Sequence, residues 1–212
     1  MMSQTKFLQP PRLATWLIGL FASGGEAESI PGDLLEEYSH LALEAGVSVA
    51  RRWYWRQTVR SIAHLFGAGF RIAPWSTAAV VVGGFFLLRF VSGLPNKVLN
   101  AVTDQYLIYW STHFRTYVFL ATDGMTIAHL LAALVVGSIV GLVAKGREMV
   151  AAMTLALVVC AMIGAALVWV VTRGTIDIAW MLWSCADPLA IVIGGAIVRT
   201  RRSAATTRPS AA

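Results

Sequence analysis

Charge is scarce in this sequence. Only 13% of its 212 residues are Asp, Glu, Lys or Arg, whereas 57% are hydrophobic, a balance far from that of a soluble globular domain. Cysteine is scarcer still: Cys160 and Cys185 both lie in apolar stretches, with no CxxC spacing and no histidine close by in sequence. That excludes a disulfide framework and a zinc site as sequence-level expectations. The histidines His40, His64, His113 and His129 make no HExxH or other metal-ligand spacing, and each is read as a structural histidine. No GxxxxGKS/T loop is present, so this chain does not bind ATP in the Walker manner and any ATPase would be a separate subunit. There is no GxSxG, no nucleophile paired with a base, and no cofactor is expected. Acids are few as well, leaving a net charge of +6. In a soluble protein such an excess would point to nucleic acid. In a membrane protein it is what loops held on the cytoplasmic side carry, and nucleic acid is not expected as a partner.

What the sequence has in abundance is long apolar runs. A span of roughly 20 mainly apolar residues crosses about 30 Å of hydrocarbon, and four stretches qualify, 72–91, 125–143, 149–171 and 178–198. The connections 144–148 and 172–177 leave room only for tight turns, which makes spans two, three and four antiparallel neighbours. A longer connection, 92–124, follows span one. It is rich in aromatics (Tyr106, Tyr109, Trp110, Phe114, Tyr117 and Phe119) and reads as an interfacial helix over 100–117, either an aromatic belt or a lid over a ligand or lipid.

The charges orient the spans. With the N-terminus in the cytoplasm, that side carries thirteen Lys and Arg, including Arg51, Arg52, Arg56, Arg60, Arg71, Lys145, Arg147, Arg199, Arg201, Arg202 and Arg208. The other side carries four, Arg89, Lys97, Arg115 and Arg173. This bias places both termini in the cytoplasm of a bacterial inner membrane. One rival reading takes Lys6 and Arg12, the apolar run 13–22 and the small residues Ser23, Gly24 and Gly25 as a cleaved signal peptide.

The first 71 residues hold six of the eleven acids and read as an aqueous three-helix domain. Pro11 suits a first helical position, and Leu13, Trp16, Leu17 and Leu20 recur at helical spacing until Gly24 and Gly25. A second helix is expected near Asp33, where Asp33-Leu34-Leu35-Glu36 has the form of a capping box and Leu34, Tyr38, Leu41 and Ala45 make the stripe. A third starts about Ser48. Trp55, Val59, Ile62 and Phe66 share one face, with Arg52, Arg56 and Arg60 in a row beside it. These stripes either close a small core or lie against a membrane surface or a partner, with Arg52, Trp53, Trp55, Arg56 and Arg60 as the contact residues.

Three ordered motifs here, Pro10-Pro11-Arg12-Leu13-Ala14-Thr15-Trp16-Leu17, Gly32-Asp33-Leu34-Leu35-Glu36-Glu37-Tyr38 and Ala50-Arg51-Arg52-Trp53-Tyr54-Trp55-Arg56-Gln57, resemble the bacterial permease prefix domain. That helical module precedes FtsX/MacB-type ABC permeases and occurs on small membrane proteins, some associated with PadR-type regulators. The resemblance covers about residues 10–62 and implies a regulatory or interaction module, with no catalytic residue to carry over. The departure is in the spans: FtsX-type permeases place a large extracytoplasmic domain after the first, where this chain has only the connection 92–124.

Within the spans, ionisable groups are costly and therefore informative. Asp187 lies ten residues into the fourth span, followed by Pro188, which would free the carbonyl of Ser184 and kink the helix. An acid at such a kink serves either an ion or proton path or a structural interhelix hydrogen bond. His129 is its nearest candidate partner in depth. Gly137 and Gly141 form GxxxG, and Ala156, Cys160 and Gly164 repeat small residues every four positions, which predicts close helix packing within one chain or between chains. Arg89 and Asp123 either pair near the outer surface or snorkel to it. The residues from 199 on, basic and rich in Ser, Thr and Ala, read as a disordered tail.

The whole reads as all-α: a small N-terminal three-helix cytoplasmic domain, then a four-helix transmembrane bundle. The expected role is a non-enzymatic membrane accessory or regulatory protein. Its partners are membrane lipids and a protein, either a separate ABC ATPase or permease or a membrane signalling partner. The alternative is a small permease subunit, or an ion path using Asp187.

Overall fold

The computed structural model describes residues 9–22, 26–105, 113–172 and 185–206. Among them every regular element is helical and no strand occurs, as the sequence predicts. The chain divides into two compact units, Met1–Pro74 and Trp75–Ala212.

The first unit contains α1 (Arg12–Phe21), α2 (Glu26–Glu44) and α3 (Val47–Ile72). Its core is Ala14, Ile18, Leu34, Tyr38, Ala42, Ala50 and Tyr54. Two fully buried tyrosines organise it: the rings of Tyr38 and Tyr54 meet edge to face at 5.7 Å and 85°, the offset geometry that the ring quadrupoles favour. Each hydroxyl is satisfied, Tyr54 Oη lying 3.0 Å from Thr15 Oγ1 and Tyr38 Oη donating to the Gln9 carbonyl at 3.3 Å. Gly46, at φ +89°, makes the sharp turn from α2 into α3, a conformation glycine reaches without Cβ strain.

Several helix faces differ from the sequence expectation. In α1 the inward residues are Ala14, Ile18 and Leu20, while Leu13 is 67% and Trp16 49% exposed. The small Ala14 and the Thr15 hydroxyl admit Tyr54, and that fit outweighs the larger apolar area of Leu13 and Trp16. The run 13–22, which also fits a signal peptide, thus supplies part of this core. α2 begins at Glu26 rather than Asp33 and carries Pro31 inside it, so Asp33, Glu36 and Glu37 sit exposed along the helix and cap nothing. Pro31 lies in the second turn, so its missing N–H forfeits one i→i−4 backbone bond that the rest of the helix carries. Ala42 takes the inward place expected of Ala45. In α3 the buried residues are Ala50, Tyr54, Thr58 and Leu65, and Trp55 and Val59 face outward.

α4 (Pro74–Gln105) starts at the unit boundary, with Pro74 in the first helical position, and its residues from Trp75 on belong to the second unit. After it come α5 (Phe114–Phe119), a π-helical turn (Leu120–Gly124) and α6 (Met125–Val143), which together form one rod from Phe114 to Val143. α7 (Glu148–Thr172) and α8 (Ala186–Thr206) follow among the described residues. The helices Pro74–Gln105, Phe114–Val143 and Glu148–Thr172 are long and apolar enough to cross a membrane. Of the expected fourth span, 178–198, the part before residue 185 lies outside the described residues, and the remainder forms α8.

At 1.5 Å per residue, the 32 residues of α4 measure about 48 Å, well beyond the roughly 30 Å of hydrocarbon. Of the expected interfacial helix over 100–117, residues 100–105 belong to the end of α4 and 114–117 to the start of α5, while 106–112, with Tyr106, Tyr109 and Trp110, lie outside the described residues. Pro95 does not break α4, since it removes one backbone donor without terminating the helix. At the other end of the bundle the expected tight turn is present. Gly146 at φ +76° and the Arg147 N–H to Ala144 carbonyl bond of 2.8 Å reverse the chain between α6 and α7. The tail expectation is corrected over 199–206, where α8 continues through Arg199, Arg201 and Arg202 to Thr206; residues 207–212 lie outside the described residues.

The core of this unit joins Ala133, Val136 and Val140 of α6, Ala151, Leu155 and Ala156 of α7, and Ile191 of α8, with Val81 and Leu88 of α4 against them. Outside it, Ile127, Leu131, Val135, Ile139 and Leu142 run down the exposed side of α6, an apolar stripe suited to a lipid solvent.

Candidate functional site

The tightest packing in the second unit is the crossing of α6 and α8. A Cβ at Gly137 would lie 2.2 Å from the Ile191 carbonyl oxygen, and one at Gly194 would lie 2.3 Å from the Leu134 carbonyl oxygen. Gly141 faces the Gly195 Cα and Val198 at contact distance. The GxxxG of α6 is therefore used within the chain, backbone against backbone, as small residues allow. Ser138 Oγ, beside it, donates to the Leu134 carbonyl at 2.9 Å and approaches the Gly194 carbonyl at 3.4 Å.

This crossing brings the first turn of α8 toward α4, α6 and α7, and a cavity of about 500 Å³ opens there. Its apolar lining includes Phe85, Leu88, Leu130 and Val159. Its polar lining is Arg89 and Ser92 of α4, Thr126 and His129 of α6, and Asp187 of α8. His129 Nε2 lies 3.0 Å from the Ser92 carbonyl oxygen, a hydrogen bond in the Nε2–H tautomer. The predicted pair Asp187 and His129 thus shares one cavity. Arg89, expected to pair with Asp123 or to snorkel, joins them.

Pro188 plays a different part from the one its sequence position suggests. The described helix starts at Ala186, so Asp187 and Pro188 occupy its first turn. A proline there forfeits no intrahelical bond and introduces no mid-helix kink. Pro188 is buried beside the cavity rather than lining it. Asp187 gains instead from the positive end of the helix dipole, which favours a carboxylate in the first turn.

A second polar cluster ties the opposite end of the bundle. Glu148, first residue of α7 and only 2% exposed, accepts from Arg202 Nη1 at 2.5 Å and lies 3.6 Å from Arg199 Nη1. The Gly146 N–H also donates to it at 3.0 Å. Arg202 Nη2 reaches the Leu142 carbonyl at 2.8 Å, and Arg147 Nη1 reaches Thr77 Oγ1 of α4 at 3.2 Å. One buried acid with two arginines, with the Gly146 N–H on the acid and the Leu142 carbonyl on Arg202 as further partners, is the arrangement in which burying charge is tolerated. Sequence reasoning missed Glu148, because nothing local distinguishes it from any loop acid. The available signal was its position as the sole acid among the basic residues of both cytoplasmic-type segments.

In the first unit Arg52, Arg56 and Arg60 are exposed on α3, with Trp55 (38%) and Val59 (63%) exposed alongside. Trp53 is different: it packs against the core, 6.5 Å from the Tyr54 ring, so it supports the face more than it forms it. Among the described residues no group of three or more His, Cys, Asp or Glu side chains is placed to hold a metal ion. No protein-family model, curated protein or solved structure matches the chain.

Proposed function

We propose that this chain is a non-enzymatic accessory or regulatory protein of the bacterial inner membrane, with four spans and both termini in the cytoplasm. Its first unit is a permease-prefix-like module that docks a protein partner, an ABC ATPase or permease or a membrane signalling protein. The observation that carries this reading is the face of α3. A unit whose core is already closed around Tyr38 and Tyr54 leaves Trp55 and Val59 uncovered beside Arg52, Arg56 and Arg60. Exposed aromatic and arginine side chains together are the usual anchors of a protein interface. The test is an affinity pull-down of the tagged full-length protein from native membranes, compared with a chain lacking residues 1–62. A partner that co-purifies only when those residues are present supports the docking role. Identical co-purifying sets refute it.

The cavity favours a second reading, a small permease subunit or ion path using Asp187. Three ionisable residues from three helices face one intramembrane space, a placement hydrocarbon penalises unless the groups interact or are used. On this reading Asp187→Asn abolishes flux in reconstituted vesicles while the circular dichroism of the protein is unchanged. Flux equal to that of the parent chain removes Asp187 from any path.

A further inference from the structure

At the arginine-rich end of the bundle, α6 and α8 line a groove of about 300 Å³ whose lining includes Ser138, Leu142, Ile197, Val198, Arg201 and Arg202. Its walls are of two kinds. Leu142, Ile197 and Val198 form an apolar side continuous with Ile139 and Val143 of α6 and Ile193 of α8, all exposed. The two arginines close the other side. We infer that this groove is a binding site for one anionic phospholipid, with the headgroup phosphate on Arg201 and Arg202 and an acyl chain laid along Leu142, Ile197 and Ile193.

Charge and preorganisation select that ligand. Lys145, Arg147, Arg199, Arg201 and Arg202 gather at this end, and the only acid among them is Glu148. Glu148 is buried and engaged by Arg199 and Arg202, so no carboxylate is left to receive the ammonium of a zwitterionic headgroup. Arg202 is held in place by Glu148 and the Leu142 carbonyl, which fixes one rim of the groove before any ligand arrives. Arg201, its exposed neighbour, forms no ion pair among the described residues and lines the same groove. A guanidinium recognises phosphate through paired donors, and basic pockets between membrane helices are places where anionic headgroups bind. The apolar wall separates a lipid from free phosphate, because an inorganic anion gains nothing from it.

The test uses the full-length protein in a nonionic detergent, with bound lipid read by native mass spectrometry. Dioleoylphosphatidylglycerol is titrated against dioleoylphosphatidylcholine, and inorganic phosphate is added as a competitor. The expected result is one retained phosphatidylglycerol, with no phosphatidylcholine retained at the same concentration and no displacement by phosphate. Arg201→Ala weakens it at least tenfold, the loss expected for a charged hydrogen-bonded contact. Because Arg201 is exposed, this variant keeps the Glu148 cluster. Ala205→Trp, which fills the groove without removing charge, also abolishes retention, whereas Lys97→Ala on α4 changes nothing. Equal retention of both lipids means a nonselective annular contact and overturns the proposal. Displacement by millimolar phosphate means an anion site without lipid recognition, and also overturns it, as does unchanged binding in Arg201→Ala.

Discussion

Replacing Gly137 by alanine adds one methyl group where two helix backbones meet. That Cβ would lie 2.2 Å from the Ile191 carbonyl oxygen, 2.7 Å from its Cα and 2.8 Å from its carbonyl carbon. Ordinary van der Waals contact begins at about 3.4 Å, so α8 has to retreat by roughly 1 Å. A side chain relieves such a clash by rotating, but a helix backbone relieves it only by moving as a whole. The same retreat opens the contact of Gly194 with Leu134 and that of Gly141 with Gly195. Overpacking costs about 1–3 kcal/mol, and the upper half of that range applies where backbone must move. The better helix propensity of alanine returns about 0.5–1 kcal/mol, leaving a net loss of about 1–2.5 kcal/mol. Gly83→Ala on α4 is the matched control, because nothing lies within 4 Å of its Cβ position. It carries the propensity gain without the clash. Titration of the full-length protein with a denaturing detergent, followed by tryptophan fluorescence and circular dichroism, should lower the midpoint for Gly137→Ala and leave or raise it for Gly83→Ala. Equal midpoints would refute the backbone-to-backbone crossing of α6 and α8.

Glu148→Ala strands two guanidinium groups at the end of the bundle. Breaking a fully buried pair costs about 3–5 kcal/mol, but the Arg199 and Arg202 side chains are 17% and 33% exposed, so solvent reduces the loss to about 2–3 kcal/mol. Thermal unfolding in detergent measures it, and Glu148→Gln, which removes the charge but keeps a hydrogen-bond acceptor, should lose less; equal losses would show that the carboxylate charge accounts for the whole effect and refute a separate share for the hydrogen bonds. In the first unit Tyr54→Phe removes only the hydroxyl paired with Thr15 and costs about 1 kcal/mol. Tyr54→Ala empties the centre of a small core and costs about 3–5 kcal/mol. Hydrogen exchange of residues 26–72 in the intact protein should rise slightly in the first variant and throughout the segment in the second.

The all-helical class, the long apolar segments, the tight turn at 144–148 and the change from aqueous to apolar composition beside the unit boundary at Pro74 are legible in the sequence. Each is a local property: mean hydropathy over a window, helical spacing of apolar residues, or a connection too short for anything but a turn. What only the tertiary structure decided depends on partners distant along the chain. Leu13 and Trp16 are more apolar in area than Ala14 and Thr15, yet Tyr54 selects the smaller pair, because a core rewards complementary shape and a satisfied hydroxyl over bulk. GxxxG marks a close approach without naming what approaches, and the identity of that surface, Ile191 to Gly195 of α8, emerges only when the helices cross. Glu148 reads as an ordinary loop acid until α8 runs past Arg199 and delivers two arginines to it. Arg89, His129 and Asp187 lie on three different helices, and it is the packing of those helices that puts them in one cavity. Local sequence determines that helices form and that they are apolar; the pairing of their faces is a property of surfaces fitting together, and no stretch of sequence contains both surfaces.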